Sequence, residues 1–262
     1  MTPPSDALLD RAALFLARAR RVLFITGAGI SADSGLPTYR GIGGLYEGTA
    51  TAEGLPIEVA LSGRTLRARP ELTWKYLGQI EATCRGARPN AAHRAIAWLE
   101  ATRGGVTVLT QNVDGLHRAA GSCDVIEIHG TLHRLHCTAC SWRDEVADYA
   151  GLTLPPACPT CGRPVRPDVV LFGEMLPAPA LQRLEAVLDE GVDLVVSIGT
   201  TSVFPYIAEP VLAARHAGVP TVEINPGQSE VSAFVDVRLR LGAADALTAL
   251  RQRLEAGTGA PA

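Results

Sequence analysis

Apolar positions along the chain fall into two kinds of run. Ala7 to Arg20 carries leucines and alanines at helical spacing behind Ser5 or Asp6 as a cap. Val22-Leu23-Phe24-Ile25-Thr26 is short and apolar, as a strand buried on both faces would be. The alternation continues with helices over 70–83 and 90–102, the second capped by Asn90 with Ala91, Ala95, Ile96 and Leu99 on one face. Strands follow at Val106–Thr110 and Val125–Ile128. After residue 166 the pattern resumes with a helix near Ala180–Asp189, a strand Asp193–Ile198, a helix near Pro205–Ala217 and a strand Pro220–Ile224. It closes with an apolar segment, Ala233–Leu241, and a last helix through Leu254. Strands and helices in turn predict an α/β fold with a doubly wound parallel sheet. The helix over 70–83 belongs to a small subdomain inserted between the first two strands.

Composition narrows this picture. A chain of 262 residues is long enough for one large domain carrying a smaller module, and it needs no disulfides to fold. A net charge of −3 offers no surface for nucleic acid and no basic patch for docking on a membrane. Four of the six cysteines form two Cys-x-x-Cys pairs, leaving Cys84 and Cys123 unpaired, which argues for a reducing compartment. The N-terminus lacks a basic region, acids at Asp6 and Asp10 interrupt any signal-like stretch, and no apolar run approaches eighteen residues. The expectation is a cytoplasmic protein whose oligomeric state the sequence leaves open.

The candidate chemistry centres on Glu127-Ile128-His129-Gly130, a short apolar run ending in a histidine. Alone, such a histidine is more often packed or solvated than catalytic; its neighbours alter that reading. Gln111, Asn112 and Asp114 follow the strand Val106–Thr110, where a parallel strand delivers side chains to a cleft. Cys137-x-x-Cys140, then seventeen residues, then Cys158-x-x-Cys161 has zinc-ribbon spacing. In Gly27-Ala28-Gly29-x-Ser31-Ala32 the first glycine allows a tight turn and the second lets backbone approach a pyrophosphate. The acid that a dehydrogenase places about twenty residues on, after a second strand, is missing: Glu47 and Glu53 lie in a stretch without strand pattern. The glycine-dense segment from Asp33 to Tyr46 reads as a lid over a ligand. Arg166 to Glu174 is an extended apolar run that is either a core strand or an edge for an extended peptide. Gly199-Thr200-Thr201-Ser202 and Asn225-Pro226-Gly227 end two strands and are small or polar enough to touch a nucleotide.

Taken in order, the Gly27–Ser31 turn, Thr38-Tyr39-Arg40, Thr110-Gln111-Asn112-x-Asp114, His129-Gly130, the two cysteine pairs, Val169-Val170-x-Phe172-Gly173-Glu174 and Ile224-Asn225-Pro226 resemble the sirtuins, NAD-dependent protein lysine deacylases. The resemblance implies a Rossmann-like sheet drawn from about 1–36, 88–130 and 167–256, with a small domain from about 37–87, a helical insertion, and 131–166, a zinc module. It implies NAD as co-substrate, bound by Gly27, Ala28, Gly29, Ser31, Asp33, Thr38, Tyr39, Arg40, Tyr46, Gln111, Asn112, Asp114, Gly199, Thr200, Thr201, Asn225, Pro226 and Ala244. One structural zinc on Cys137, Cys140, Cys158 and Cys161 is implied too, with an acyl-lysine peptide along Val169, Val170, Phe172, Gly173 and Glu174. Catalysis falls to His129, as base toward the nicotinamide ribose, and to Asn112. The acyl group passes to the ribose, giving O-acyl-ADP-ribose, nicotinamide and free lysine.

Several positions depart from the family pattern. Tyr39 stands where phenylalanine is usual, and Gly199-Thr200-Thr201-Ser202-Val203-Phe204-Pro205 differs from the usual Gly-Thr-Ser to Val-Tyr-Pro stretch. The Tyr-x-x-Arg of the desuccinylase subgroup is absent: Tyr76 is followed at that spacing by Gln79, and Leu77 by Ile80. Two alternatives stay open, a mono-ADP-ribosyltransferase using the same site and an NAD-sensing binding module.

Overall fold

The computed structural model describes residues 4–38 and 51–258. The chain runs α1 (Pro4–Arg18), β1 (Val22–Thr26), a 3-10 helix (Ala28–Ser34), α2 (Ile57–Ala60), α3 (Gly63–Ala68), α4 (Pro70–Cys84), α5 (Ala91–Arg103), β2 (Val106–Thr110), α6 (Leu116–Ala119) and β3 (Val125–Glu127). It continues through β4 (Gly130–Cys137), β5 (Arg143–Glu145), β6 (Val165–Val169), α7 (Ala178–Asp189), β7 (Leu194–Ile198), α8 (Pro205–His216), β8 (Thr221–Ile224), β9 (Val237–Leu239) and α9 (Ala243–Thr258).

The six-stranded sheet has the order β3-β2-β1-β7-β8-β9, and every pairing in it is parallel. Strand order reverses between β1 and β7, and in such sheets ligands sit beyond the carboxyl ends at the reversal. Successive residues of β1 face opposite sides. Phe24 joins α1, α5 and α9 in one apolar layer through Leu16, Ile96 and Leu250, while Leu23 and Ile25 join α7 and α8 in the other through Leu184, Ile207 and Val211.

A third apolar cluster lies in a smaller lobe. Trp74, Tyr76 and Leu77 of α4 pack with Leu132 and Leu135 of β4 and with Val165, and the Trp74 indole donates to Val165 O at 2.9 Å. The cysteine segment is a three-stranded antiparallel sheet in the order β5-β4-β6. Residues inserted between β1 and β2 thus share one core with residues between β3 and α7.

The elements differ in detail from those expected. Helix α1 begins at Pro4, so Ser5 and Asp6 lie in its first turn rather than at a cap; proline suits that turn, whose N–H groups lack helical partners. The apolar segment 233–241 forms a strand only over Val237–Leu239. The antiparallel cysteine sheet itself runs from Gly130 to Val169, since β6 pairs with β4 along that whole stretch. The short helices α2, α3 and α6 have no counterpart among the expected elements.

Candidate active site

At the sheet reversal the glycine turn after β1 meets the end of β7. Gly27 N donates to Ile198 O at 3.0 Å and Gly29 N donates to Gly199 O at 2.8 Å, which locks the glycine turn onto the end of β7. A Cβ on Gly29 would lie 2.6 Å from Gly199 Cα, and one on Gly199, where φ is +57°, would lie 2.5 Å from Gly29 C. Two main chains cross there with no room for side chains, so both positions require glycine.

Residues after β2 fasten to this turn. Asn112 Nδ2 donates to Gly27 O at 3.1 Å and to Ser31 Oγ at 3.2 Å; Ser31 Oγ donates to Asp114 Oδ2 at 2.7 Å, and Asp114 Oδ1 accepts from Leu116 N at 2.9 Å. Gln111 Nε2 donates to Thr200 Oγ1 at 2.8 Å. Asn225 Nδ2 donates to Thr200 O at 3.0 Å, and Asn225 Oδ1 accepts from Gly227 N at 3.0 Å. Asp33 Oδ2 accepts from Ala244 N at 3.1 Å, tying the turn to the start of α9. Gly27, Gly29, Ser31, Asp33, Gln111, Asn112, Asp114, Gly199, Thr200, Asn225 and Ala244 are therefore one connected constellation, with Ala28, Thr201 and Pro226 beside members of it in sequence. Thr38 is the last described residue of its segment, and Tyr39, Arg40 and Tyr46 lie outside the described residues.

Beneath the constellation runs a buried polar chain that sequence patterns did not single out. Asn112 N donates to Thr110 Oγ1 at 3.1 Å, Thr110 Oγ1 lies 2.9 Å from Thr26 Oγ1, and Thr26 Oγ1 lies 3.0 Å from His117 Nε2. The His117 ring meets the His93 ring edge-on at 4.9 Å. Burial holds both imidazoles far below the ordinary histidine value, His93 at about 4 and His117 at about 3, so both are neutral at pH 7.

His129 follows β3 and lies among β2 and α8. Its Nδ1 is 3.0 Å from Gln111 O and its Nε2 is 2.7 Å from Tyr206 Oη. Burial lowers its pKa, partly opposed by the bond to Gln111 O. Phe204 and Tyr206 stack with centroids 5.5 Å apart, each set edge-to-face against the His129 ring. Sequence reasoning missed Phe204 and Tyr206 as site residues: they enter through a turn and a helix start, which carry no periodic signal.

The expected peptide segment links the two lobes. Val170 N donates to His129 O at 2.9 Å, Phe172 N to Leu61 O at 3.0 Å, and Gly63 N to Phe172 O at 3.1 Å. Val169 ends β6 and Gly173 turns the chain at φ +77°. The Glu174 carboxylate is held by the Arg166 guanidinium at 2.6 and 2.8 Å and accepts from Leu171 N at 3.0 Å. That side chain clasps the loop from within, whereas Val169, Val170 and Phe172 remain half-buried along it.

Cys137, Cys140, Cys158 and Cys161 bring their sulfurs together, all within 4.8 Å of one another and as close as 3.5 Å. A tetrahedral zinc with Zn–S near 2.3 Å spaces its sulfurs about 3.8 Å apart, so the four fit the ion. Four thiolates leave no position for water or substrate, which makes the site structural.

A model of the Sir2 family matches residues 27–205. This chain belongs to the Sir2 family. It is 53% identical over 243 residues to "NAD-dependent protein deacylase 2" of Pseudomonas syringae pv. tomato, covering 92% of this chain and 98% of that protein. Among solved structures it is similar to a Sir2 homologue–NAD complex, with 33% identity, a TM-score of 0.84, and coverage of 95% of this chain and 94% of that one. It is similar also to a Sir2–p53 peptide–NAD+ complex at 28% identity and TM-score 0.79, covering 95% and 98%. The parallel sheet, the small lobe with its cysteine cluster and the glycine turn are thus those of a Sir2 protein.

Proposed function

We propose that the chain is an NAD-dependent protein lysine deacylase that prefers acetyl-lysine and transfers the acyl group to the ADP-ribose of NAD with release of nicotinamide. It works as two lobes, the Rossmann-like one from about 1–36, 88–130 and 167–256 and the small one from about 37–87 and 131–166. The setting is the cytoplasm, the partner is an acyl-lysine protein or peptide, and nucleic acid is not bound.

The observation that carries the reading is the state of His129. Gln111 O can only accept, so Nδ1 carries the proton and Nε2 keeps a lone pair, the form a base needs. Burial keeps the ring neutral at working pH. NAD supplies the electrophilic ribose carbon and the nicotinamide leaving group. The protein contributes positioning and proton transfer: Gln111, Asn112 and Asp114 hold the nicotinamide riboside end, while Gly27, Ala28, Gly29 and Ser31 let backbone approach the diphosphate. By the family resemblance Thr38, Tyr39, Arg40 and Tyr46 serve the reacting ribose, and Asp33, Gly199, Thr200, Thr201, Asn225, Pro226 and Ala244 receive the adenosine half. Val169, Val170, Phe172 and Gly173 face the peptide and line the acyl-lysine tunnel, and Glu174 keeps that segment in shape. His129 takes a proton from a ribose hydroxyl, a contribution typically worth ~10²–10⁴ in rate.

The test is a panel of acyl-lysine peptides incubated with NAD and read by mass. Free lysine, nicotinamide and O-acyl-ADP-ribose should appear in equal amounts. Label from NAD retained on protein, with the acyl group untouched, would replace this reading by mono-ADP-ribosyl transfer, and NAD binding without turnover would leave only a sensing module.

A further inference from the structure

Tyr206 occupies the one nitrogen that His129 needs for chemistry. Because Nδ1–H is committed to Gln111 O, the Nε2 lone pair is the only basic position on the ring, and Tyr206 Oη lies 2.7 Å from it, donating. The phenol is fixed rather than adventitious. It stacks on Phe204 at an interplanar angle of 13°, and it lies between Pro205 and the fully buried Ile207 in the first turn of α8. The carbonyl of Phe204 accepts from Ile207 N at 2.9 Å and Ala208 N at 3.0 Å, which fixes the backbone of that turn. A substrate hydroxyl can reach Nε2 directly only if this bond breaks, whereas a proton handed to the phenol oxygen reaches the base along the bond already made.

We propose that Tyr206 is the proton relay of the site and the positioning residue of His129. As the ribose O–H breaks, its proton goes to Tyr206 Oη and the Tyr206 proton goes to His129 Nε2. The ring becomes an imidazolium whose Nδ1–H stays on Gln111 O, and the ribose oxygen keeps the electron pair of the broken bond. One O–H is lost, one O–H is remade and one N–H is formed, with no other reagent. Burial raises the phenol pKa to about 12, so the hydroxyl keeps its proton at neutral pH.

The inference rests on the deacylase reading, and its test separates the two. Tyr206→Phe retains the stacked ring and removes only the hydroxyl. With acetyl-lysine peptide and NAD, kcat for nicotinamide release should fall about 10- to 100-fold, with KM for both substrates within about two-fold of wild type. In mixtures of H2O and D2O the wild-type rate should vary non-linearly with deuterium fraction, as two protons in flight require, and the combination with His129→Ala should be no slower than His129→Ala alone. A Tyr206→Phe kcat equal to or above wild type would overturn the relay, because the hydroxyl would then only obstruct His129. A fall in kcat accompanied by large increases in both KM values would overturn it too, as a packing defect. Nitrogen-15 spectra give a readout apart from turnover: the His129 Nε2 resonance should move on Tyr206→Phe while Nδ1 stays protonated, and an unmoved Nε2 would refute the bond. Wild type that releases no nicotinamide in response to acyl-peptide would refute the deacylase reading itself.

Discussion

Lowering the pH from 7 to 5 should weaken the fold by about 2 kcal/mol for each of two buried imidazoles, His93 and His117. Burial is the main cause at both; for His93 the Asp114 carboxylate acts in the opposite sense and Arg94 in the same sense, and for His117 the neighbouring His93 adds to the effect. In the unfolded chain both titrate near 6.5. Above that value neither state binds the proton and the pair contributes nothing to pH dependence. Below it the unfolded chain takes up protons that the folded protein refuses, so stability falls as pH falls, until the folded values of about 4 and about 3 are reached. The slope is about 1.4 kcal/mol per pH unit for each ring. Urea unfolding followed by tryptophan fluorescence at the two pH values measures the loss. His117→Gln should reduce the difference between pH 7 and pH 5 by about 2 kcal/mol, whatever it does to stability at pH 7. The cysteine site titrates alike in both proteins and cancels. An unchanged difference in His117→Gln would refute the claim that His117 is held neutral.

The acid limb of kcat/KM should lie below pH 6.5, because burial lowers His129 and the neutral ring is the active form; a limb above 6.5 would contradict this. One zinc per chain should be found by metal analysis, and Cys137→Ser should lower both the zinc content and the melting temperature; stoichiometric zinc at full stability in the variant would remove Cys137 from the ligand set. Gly130→Ala should cost about 3 kcal/mol or more in chemical denaturation, since φ is +78° and the new Cβ would sit 1.7 Å from Asp168 O; a cost under about 1 kcal/mol would refute it. Succinyl-lysine should be turned over at least about 100-fold less efficiently than acetyl-lysine, because a buried carboxylate needs a cation or donor and the apolar Leu77 and Ile80 stand where the desuccinylase subgroup has Tyr-x-x-Arg; equal kcat/KM values would overturn this.

Much of the fold was legible because the sheet is buried on both faces. β1, β2 and β7 are each five residues buried throughout, so they stand out as apolar runs between glycine or polar ends. The glycine turn, Gln111-Asn112-x-Asp114 and the cysteine spacing were legible because backbone crossings and metal geometry demand particular residue types at fixed offsets. The single-turn helices α2 and α6, four residues each, are too short for helical periodicity to declare itself. Tyr206 escaped for another reason, and so did the clasp of Glu174 on Arg166, although Glu174 itself was expected along the peptide segment. Their roles depend on what other segments bring to them, His129 in one case and Arg166 in the other, and no local pattern encodes that meeting.

The shared core of the small lobe bears on how the chain can be made or divided. Cys137 and Cys161 are only 24 positions apart, so the metal knot is a local structure that can tie itself as soon as that stretch exists. Trp74, which packs against the same sheet and donates to it, reaches Val165 across 91 positions. During synthesis the helical insertion emerges long before the surface it will cover, and the half-made lobe leaves Trp74, Leu77 and Tyr76 wet until residue 165 arrives. Excised alone, the ribbon would keep its ligands yet expose Leu132, Leu135 and Val165, and the insertion alone would expose the matching face. Neither piece is a detachable cassette: transplanting the zinc knot to another protein requires carrying α4 with it.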